Sequence, residues 1–449
     1  MKIIIIGVGE LGQLLATRLS EAEHDVVIID TEVDEFEHVR DKLDVMTLVG
    51  DANSISVMKR AGIDTADMLV AVSGNQAVNM LACQLASHLG VKRSICRLYS
   101  TDVFSEEDGI TPGFFGIGKS FSSPAECAKL VMDVLRHQVV LEQMEFSNKD
   151  ATMVTVQVPN ESPLRGERIQ SIPDVELRDN IRFAALVRDN QLKYPHGDTQ
   201  FLAGDRYYVA GRRDYIDRFL ESLAPEKDHP LVVIGGATLL ASVVAKDALV
   251  SGMTVRIIEP DKLHADKFLD IMPPEVKVIV GSSTDEDILR EAGADRCDVY
   301  VNTELNDENT ILSCIIAKRM GASKVVAITH KTEYISIVPE LNVIDCAFNS
   351  TQVSVNTVFR LMNEGVLRVD SRLESYRAYL TEFRIQEKSR LIGKEIREAK
   401  LPKDAILVMV FRGNEVIAPT GLTKLQKDDV VVAIVTLETE ELLKPYFVS

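Results

Sequence analysis

The sequence carries one long unit twice, and this tandem duplication limits the possible fold more than any single residue does. The landmarks of residues 1–221 return in the same order in residues 231–447. Four of them return 231 positions later, as the pairs Gly62 and Gly293, Asp67 and Asp298, Cys83 and Cys314, and Gly90 and Gly321. Two more return 224 positions later, as the pairs Pro195 and Pro419, and Gly197 and Gly421. Solenoid repeats span only about 20 to 50 residues, so this repeat predicts two large units, each with two lobes.

Charge and composition exclude several classes of protein. The chain has 68 acidic and 50 basic side chains, and its net charge of −18 repels nucleic acids and anionic lipid surfaces. We therefore expect no nucleic-acid partner and no direct lipid anchoring. The longest apolar runs, such as residues 3–6 and 68–72, are far shorter than the roughly 18 residues that span a bilayer. The amino terminus lacks a signal-peptide layout and the six cysteines form no C-x-x-C pair, which predicts a cytoplasmic chain with reduced cysteines.

The first unit opens with the pattern of a dinucleotide-binding βαβ unit. A buried strand at residues 2–6 leads into the loop Gly7-Val8-Gly9-Glu10-Leu11-Gly12, a helix follows, and a second strand ends at Asp30-Thr31. Gly7 permits the tight turn, Gly9 lets the backbone approach a pyrophosphate, and Gly12 lets the helix pack on the strand. The helix amino terminus offers free N–H groups to the phosphates. Asp30 is placed to accept hydrogen bonds from the adenosine ribose, and its charge favours a nucleotide without a 2′-phosphate.

Further strands alternate with helices up to Arg97, which predicts a parallel, doubly wound sheet. Ligands of such sheets bind at the carboxyl ends of the strands, where Asp51-Ala52, Ser73 and Arg97 fall. Arg97 could contact a nucleotide phosphate, or it could be a solvated arginine at a strand end. Ser73 could contact the ligand, or it could belong to a turn that starts the next helix.

The second unit repeats this plan with an altered glycine loop. Gly235 and Gly236 open the loop and Glu259 stands where the first unit has Asp30, so these three residues are candidates for a weaker second site. The alignment matches Gly9 and Gly12 with Ala237 and Leu240, and Ile328 replaces Arg97. A larger side chain hinders the phosphate and the loss of arginine removes a counter-charge. We expect the first unit to hold the main nucleotide site and the second to be mostly structural.

Each Rossmann-like domain is followed by a helical connector and a small lobe rich in strands. Apolar residues recur at helical spacing up to Val139, which predicts a long connector helix, and a charged stretch containing Pro225 reads as a linker between the halves. The predicted boundaries are Rossmann lobe 1–122, connector helix 123–145, small lobe 146–223, linker 224–230, Rossmann lobe 231–350, connector helix 351–368 and small lobe 369–449.

Two such halves resemble the cytoplasmic regulatory subunits of Trk potassium-uptake systems, which are built from regulator-of-potassium-conductance (RCK, also called KTN) domains. The small lobes carry the resemblance as well. The segments 164–169 and 391–396 resemble the L-x-G-x-x-I motif of the carboxy-terminal RCK module, and a Pro-x-Gly-x-Thr step follows each of them at 195–199 and 419–423. The Phe114-Phe115-Gly116-Ile117 stretch matches no pattern that we can assign.

The resemblance implies a fold of two tandem Rossmann-like α/β domains, each followed by a small α+β lobe. It implies a regulatory subunit, not an enzyme, that binds NAD(H) or ATP/ADP and thereby controls potassium flux. It further implies a homo-oligomeric, tetrameric ring at the inner face of the plasma membrane, docked on a membrane-embedded potassium-translocating subunit. The candidate nucleotide-binding residues are Gly7, Val8, Gly9, Glu10, Leu11, Gly12, Asp30, Thr31, Asp51, Ala52, Ser73 and Arg97, with Gly235, Gly236 and Glu259 as the weaker set.

The rival interpretation is an NAD-dependent oxidoreductase, because dehydrogenases use the same βαβ unit. Hydride transfer usually needs a positioned acid or base. The sequence contains no Tyr-x-x-x-Lys pair, no H-E-x-x-H and no G-x-S-x-G, and its eight histidines are dispersed. We therefore assign no catalytic and no metal-ligating residue. A nucleotide-sensing transcription regulator is a third possibility, which the acidic balance disfavours.

Overall fold

Six strands between Lys2 and Phe121 form a parallel sheet flanked by helices. The computed structural model describes residues 1–32, 45–100, 103–189, 191–224, 229–341, 343–362, 368–373, 378–402 and 405–448. The strands of the first Rossmann lobe are β1 Lys2–Ile6, β2 Asp25–Asp30, β3 Met46–Val49, β4 Met68–Ala71, β5 Ser94–Arg97 and β6 Lys119–Phe121. Its helices are α1 Glu10–Glu21, α2 Ile55–Arg60 and α3 Gln76–His88. The strands lie in the order β3-β2-β1-β4-β5-β6, which is the strand order of dinucleotide-binding Rossmann folds.

The central strand shows why this part of the sequence forms a parallel sheet. Ile3, Ile4 and Ile5 are all fully buried, because helices cover both faces of the sheet. Both neighbours of β1 pair with it in parallel. Since all the strands point the same way, the segments that follow them meet at one edge of the sheet.

The second Rossmann lobe repeats the arrangement. Its strands are β12 Leu231–Gly235, β13 Thr254–Glu259, β14 Lys277–Val280, β15 Val299–Asn302, β16 Lys324–Thr329 and β17 Cys346–Asn349. Its helices are α7 Leu239–Val250, α8 Lys262–Leu269, α9 Glu286–Ala292, α10 Asp307–Met320 and the short α11 Tyr334–Ile337. The strand order β14-β13-β12-β15-β16-β17 matches that of the first lobe position by position.

Two five-stranded antiparallel sheets form the small lobes. The first contains β7 Val140–Glu145, β8 Ala151–Gln157, β9 Ile181–Arg188, β10 Gln191–Lys193 and β11 Arg206–Arg212, with helices α5 Val175–Asn180 and α6 Arg213–Leu223. The second contains β18 Arg368–Leu373, β19 Ala378–Arg384, β20 Ile406–Arg412, β21 Glu415–Ile417 and β22 Val430–Thr436, with helix α13 Leu437–Val448. The orders β10-β9-β11-β8-β7 and β18-β19-β22-β20-β21 are the same order read from opposite edges. Together the four sheets confirm the predicted fold class.

An ion pair repeated in both small lobes marks their common origin. Arg188 donates from Nε to Asp205 at 2.7 Å, and Arg412 donates from Nε to Asp429 at 3.0 Å, 224 positions later. Both carboxylates are almost fully buried and also accept a backbone N–H of the preceding turn. The pair therefore fixes the turn that leads into the last strand of each lobe.

The predicted connector helix 123–145 is wrong in its second half. Helix α4 spans Ser123–Arg136, and Val140–Glu145 form strand β7 instead. The β-branched residues Val139 and Val140 favour a strand, and β7 finds a partner in β8, where Val140 pairs with Val156. The first small lobe therefore begins near residue 139 and not at 146.

The second connector is helix α12, Ser350–Met362, and the second small lobe begins with β18 at Arg368. Residues 363–367 of the predicted connector 351–368, and 225–228 of the predicted linker 224–230, lie outside the described residues.

The chain divides into two compact units, and each of them combines segments from both halves of the sequence. One unit contains both Rossmann lobes, as residues 1–129, 231–250 and 254–362. In it, Val355, Val358 and Met362 of α12 join the core beside α1 of the first lobe. The other unit contains both small lobes, as residues 130–230, 251–253 and 363–449, and one apolar cluster is shared by their two sheets. Within the described ranges, no helix is both long enough and apolar enough to cross a membrane.

Candidate nucleotide site

The glycine loop between β1 and α1 depends on the absence of side chains at two positions. Gly7 has a φ of +101°, and a Cβ added there would lie 2.7 Å from the Cα of Ser73. A Cβ added to Gly12 would lie 1.9 Å from the carbonyl oxygen of Gly7. The loop therefore passes close to both the β4 end and the first turn of α1, as its predicted role requires.

Gly9 has a different role, because a Cβ there would meet no atom of the described residues within 4 Å. Gly9 is the N-cap of α1, and no side chain of the described residues caps this helix. The first N–H groups of a helix have no partner within the helix, and they carry a partial positive charge. The α1 amino terminus is therefore open to an anion of the size of a pyrophosphate.

Asp30 is held against the glycine loop at the end of β2. Its Oδ2 accepts the Val8 N–H at 2.8 Å, and its Oδ1 accepts the Glu32 N–H at 3.1 Å. The Thr31 hydroxyl lies 3.5 Å from Oδ1. A carboxylate has about four lone-pair positions, so Asp30 keeps acceptor capacity for ribose hydroxyls while it fixes the loop.

Arg97 ends β5 with part of its guanidinium group unsatisfied. Its Nε is buried and donates to no acceptor in the described part of the chain. The guanidinium carbon lies 5.1 Å from the centre of the Tyr99 ring. Buried N–H donors are rarely left without a partner, and a guanidinium binds phosphate oxygens with particular strength. The geometry therefore favours the ligand interpretation of Arg97 over the solvated one.

Asn79, which was not predicted from the sequence, forms hydrogen bonds to two of the predicted site residues. Its side chain is fully buried on α3, and its Oδ1 accepts from both the N–H and the hydroxyl of Ser73, at 2.9 and 2.7 Å. Its Nδ2 donates to the carbonyl oxygens of Ser73 and Arg97, each at 3.1 Å. The signal in the sequence was a polar residue on the buried face of an amphipathic helix. Asn79 positions the ends of β4 and β5 relative to each other.

The remaining predicted residues lie at the same sheet edge but differ in exposure. Asp51 is exposed after β3, and the preceding Gly50 donates its N–H to the Asp30 carbonyl oxygen at 2.8 Å. Leu11 and Ala52 are buried, so their side chains pack in the lobe and only their backbone groups face the loop region. The structure therefore brings all twelve residues of the first set to the carboxyl ends of β1 to β5.

The second lobe has a different loop register from the one that the sequence alignment predicted. Gly236, with φ +84°, donates its N–H to Ile258 just as Gly7 donates to Ile29. The Ala237 N–H binds Glu259 at 2.9 Å, as the Val8 N–H binds Asp30. Gly235 is thus the last residue of β12, and the alignment with Ala237 and Leu240 is wrong by one position. The true counterparts of Gly9 and Gly12 are Thr238 and Ala241.

Side chains of the second lobe occupy the place that is open in the first. The Thr238 hydroxyl accepts the Ala241 N–H at 3.1 Å and lies 2.8 Å from the Thr303 hydroxyl, so the amino terminus of α7 is capped. Glu304 stands in the position of Ser73, with its Cγ 2.9 Å from where a Cβ on Gly236 would lie. Its Oε1 is buried without a partner among the described residues. A capped helix and an added carboxylate both disfavour a phosphate there.

A buried aspartate fixes the loop after β16. Asp307 takes the place of Gln76 in the first lobe, and its carboxylate accepts the His330 N–H, the Lys331 N–H and the His330 Nδ1 at distances of 2.9 to 3.1 Å. Burial raises the pKa of this carboxyl, but the hydrogen bonds from His330 and Lys331 outweigh it and hold the pKa below its usual value.

The lowered pKa of Asp307 predicts a pH dependence of stability. A depressed carboxyl pKa contributes stability above the unfolded value of about 3.9, and this contribution is lost as the pH falls through the folded value. We expect Asp307→Asn to lower the free energy of unfolding at pH 7 by about 1 to 2 kcal/mol and to flatten its decline below about pH 4. Asp287→Asn, at a side chain that is 93% exposed, is the control and should change neither quantity. This role would be contradicted if thermal unfolding showed that wild type and Asp307→Asn lose stability equally as the pH falls below about 4.

The connector helix of the second half docks on the first Rossmann lobe. The carbonyl oxygens of Leu361 and Met362 at the end of α12 accept hydrogen bonds from Lys119 and Arg93. In the last turn of α12, Arg360 donates to Glu126 of α4 at 2.6 Å. These contacts place cations at the carboxyl end of α12, where they offset the helix dipole.

The first connector begins within reach of the Arg97 charge. Burial raises the pKa of the Cys127 thiol, on the first turns of α4, to about 12, and the negative charge of Glu126 adds to this rise. The Arg97 guanidinium acts in the opposite direction.

The fold is a tandem pair of Rossmann-like α/β domains, each followed by a small α+β lobe. A model of the TrkA-N domain matches residues 3–105 and 232–349, and a model of the TrkA-C domain matches residues 153–224 and 380–448. The chain belongs to the TrkA family of Trk potassium-uptake proteins, and it carries both family domains twice.

Relatives match over nearly the full length of the chain. The Trk system potassium uptake protein TrkA homolog of Archaeoglobus fulgidus is 28% identical over 448 residues, which cover 100% of both chains. The TrkA protein of Halomonas elongata is 29% identical over 96% of this chain and 93% of its own. Among solved structures, the GsuK RCK domain has a TM-score of 0.63 and 15% identity, covering 99% of this chain and 94% of that one. This structural likeness shows the shared fold.

Proposed function

We propose that the chain is a cytoplasmic regulatory subunit of a Trk-type potassium uptake system. It binds NAD(H) or an adenine nucleotide in its first Rossmann lobe and thereby controls the flux through a membrane-embedded potassium-translocating subunit. It acts as a homo-oligomeric, tetrameric ring, peripheral at the inner face of the plasma membrane through that partner. Its family membership and the names of its relatives support this assignment.

The observation that carries the proposal is the open amino terminus of α1 beside Asp30 and Arg97. The helix end offers N–H groups to a pyrophosphate, Asp30 offers acceptors to a ribose, and the Arg97 Nε has no partner in the described residues. GsuK, which shares the fold, has been solved as a channel bound to NAD and also bound to ADP, which supports a ligand of this class.

The second lobe serves as a structural partner and not as an equal site. Thr238 caps the helix that a pyrophosphate would need, and Glu304 adds a negative charge beside the turn. The candidate residues Gly235, Gly236 and Glu259 then hold the loop in shape, since Glu259 accepts both the Ala237 and Asp261 N–H groups. One nucleotide per chain follows from this assignment.

The regulation works through unequal affinity of the nucleotide for two arrangements of the lobes. Arg97 links the phosphate position to α4, and α12 packs on α1 next to the glycine loop. Both connectors continue along the chain into the small lobes. A tenfold difference in affinity supplies about 1.4 kcal/mol per site, and four sites in a ring would add.

In this function the nucleotide is a regulatory signal, and the protein does not change it chemically. A dehydrogenase would place an acid or base next to the nicotinamide ring. At the sheet edge, the side chains of Asp30 and Asn79 are engaged with the backbone of the loop and strand ends, and the Ser73 hydroxyl donates to Asn79.

A flux measurement tests the proposal. The chain and its Trk membrane subunit are reconstituted in liposomes, and potassium flux is recorded with and without NAD, NADH, ADP and ATP. We expect at least one nucleotide to change the flux, and we expect this response to be absent with Arg97→Ala. Arg60→Ala, at an exposed arginine of the same lobe, is the matched control and should respond like the wild type.

Two results would count against the proposal. A chain that does not associate with the membrane subunit, or a flux that no nucleotide changes, would contradict the regulatory assignment. Steady oxidation of NADH with a carbonyl substrate would instead favour the oxidoreductase.

A further inference from the structure

Four exposed apolar side chains line the carboxyl edge of the second Rossmann sheet. Each of them ends or follows one of the four adjacent strands β14, β13, β12 and β15. In that order they are Val280, Leu263, Leu239 and Leu305, which are 46, 74, 44 and 79% exposed. Neighbouring strands lie about 4.8 Å apart, so the row spans roughly 15 Å. We call this row the apolar edge.

The first lobe lacks leucines at the matching positions. The counterparts of Leu239 and Leu305 are Glu10 and Gly74, beside the proposed nucleotide site. In the second lobe the Thr238 hydroxyl caps α7, so the same edge disfavours a phosphate. Large apolar side chains that are grouped on a surface indicate a contact with another protein. The second lobe therefore presents a surface that suits a protein partner where the first offers open N–H groups to a ligand.

Acidic side chains surround the apolar edge. The exposed acids in the loops and first helical turns at this end of the sheet are Asp261, Asp285, Glu286, Asp287 and Glu308. The basic side chains Lys331 and Arg290 each lie 3.1 Å from one of these acids, Glu308 and Asp287 respectively, so ion pairs already hold them. Acidic groups outnumber basic ones here, which gives the edge a negative potential.

The charge at this edge decides between possible partners. The acidic rim repels anionic lipid headgroups. Pairing of two copies of the edge across a two-fold axis would place the same acids of both copies opposite each other, which costs free energy. Cytoplasmic loops of membrane proteins, in contrast, carry an excess of lysine and arginine. A segment with apolar side chains for the leucines and cations for the rim matches both features of the edge.

We propose that the apolar edge of the second lobe binds a basic, amphipathic cytoplasmic segment of the membrane-embedded potassium-translocating subunit. This inference rests on the proposed function and names the part of the chain that meets the partner. The same end of the sheet reaches the glycine loop of the first lobe, since the Thr332 hydroxyl, in the loop after β16, lies 3.4 Å from the Glu10 Oε2. A bound segment therefore lies on the lobe that contacts the proposed nucleotide site.

Binding of the full chain to the purified membrane subunit, held in nanodiscs of neutral lipid, tests this surface. Biolayer interferometry measures the affinity. We expect the double variant Leu263→Ser, Leu305→Ser to bind about tenfold more weakly or less, because both leucines lose their apolar contact with the segment. Val250→Ser is the matched control, since Val250 is 90% exposed at the other end of α7, and it should bind like the wild type. Thermal unfolding checks that these exposed changes leave the fold intact.

Charge reversal at the rim tests the complementarity independently. We expect Glu286→Lys to weaken binding about threefold to tenfold at low salt, and we expect this difference to shrink as salt screens the charges. Glu291→Lys makes the same change in net charge at the exposed other end of α9. It is the control for the charge and should keep the wild-type affinity.

The outcomes separate this inference from the function on which it rests. If the wild type binds the membrane subunit, wild-type affinity in either the double leucine variant or Glu286→Lys overturns the docking surface and leaves the proposed function standing. A leucine variant that keeps its affinity but changes the mass of the oligomer in light scattering shows an interface between copies, which also overturns the docking surface. Wild type that does not bind the membrane subunit overturns the proposed function, and the docking surface with it.

Discussion

We expect Asp30→Ala and Arg97→Ala each to remove about half or more of the thermal stabilisation that NADH or ADP gives to the wild-type chain. A ligand present at 100 times its dissociation constant stabilises a protein by about 2.7 kcal/mol, which raises the unfolding temperature of a domain of this size by roughly 5 to 10 °C. Loss of a hydrogen bond to a charged group costs about 1.5 to 3 kcal/mol, or roughly a tenfold to hundredfold loss of affinity. Differential scanning fluorimetry at a fixed nucleotide concentration measures the change.

The equivalent acid in the second lobe provides the control for this experiment. Glu259 accepts the Ala237 N–H as Asp30 accepts the Val8 N–H, so Glu259→Ala loosens the same kind of loop contact. We expect it to leave the nucleotide-dependent shift unchanged. Full stabilisation in both Asp30→Ala and Arg97→Ala would show that the nucleotide binds elsewhere.

We expect Gly12→Ala to lower the stability of the first lobe, and Gly9→Ala to lower only its affinity for nucleotide. The Cβ of Gly12→Ala would lie 1.9 Å from the Gly7 carbonyl oxygen, a backbone atom that cannot move aside alone. We expect a cost of about 3 kcal/mol, or roughly a 10 °C fall in the unfolding temperature. The Cβ of Gly9→Ala meets nothing within 4 Å among the described residues, but it would enter the space in which we expect a phosphate to approach the backbone.

The contrast between these two variants tests whether the loop has the geometry described. Gly9→Ala should unfold at the wild-type temperature without nucleotide and should lose most of the nucleotide-dependent rise. Ala241 is accommodated at the position of Gly12 in the second lobe. Wild-type stability of Gly12→Ala would therefore mean that the first loop lies no closer to its helix than the second one does.

The parallel sheets could be predicted from the sequence because their signals are local. The isoleucines of β1 form a continuous apolar run, and the glycine loop and the terminal acid follow at fixed spacings. The duplication strengthens these signals, since each half of the chain supports the interpretation of the other. The same local signals are sufficient to place Asp30 and Arg97 at one sheet edge.

The end of the first connector could not be predicted, because its apolar residues satisfy two patterns at once. Val139 and Val140 continue the helical spacing of α4, yet they also begin a strand that pairs with β8. Only the partner strand, which lies beyond Asp150 in the sequence, decides between the two. The pairing with β8 thus overrides the helical spacing of these apolar residues.

The register of the second glycine loop was predicted wrongly for a related reason. Two adjacent glycines, Gly235 and Gly236, make two alignments equally good in sequence. The hydrogen bond from Gly236 to the Ile258 carbonyl oxygen selects one of them, and with it Thr238 becomes the cap of α7. The buried Asn79 was missed because its hydrogen bonds to Ser73 and to the carbonyl oxygen of Arg97 leave no pattern in the sequence.

We propose that each chain holds one molecule of NAD(H) or of an adenine nucleotide in its first lobe and does not change it chemically. Equilibrium dialysis of the full chain with NADH, followed by chromatography of the bound fraction, measures both the number of molecules bound and their identity. The account predicts one molecule per chain, recovered as intact NADH. Two molecules per chain, none, or recovery as an oxidised product would contradict it.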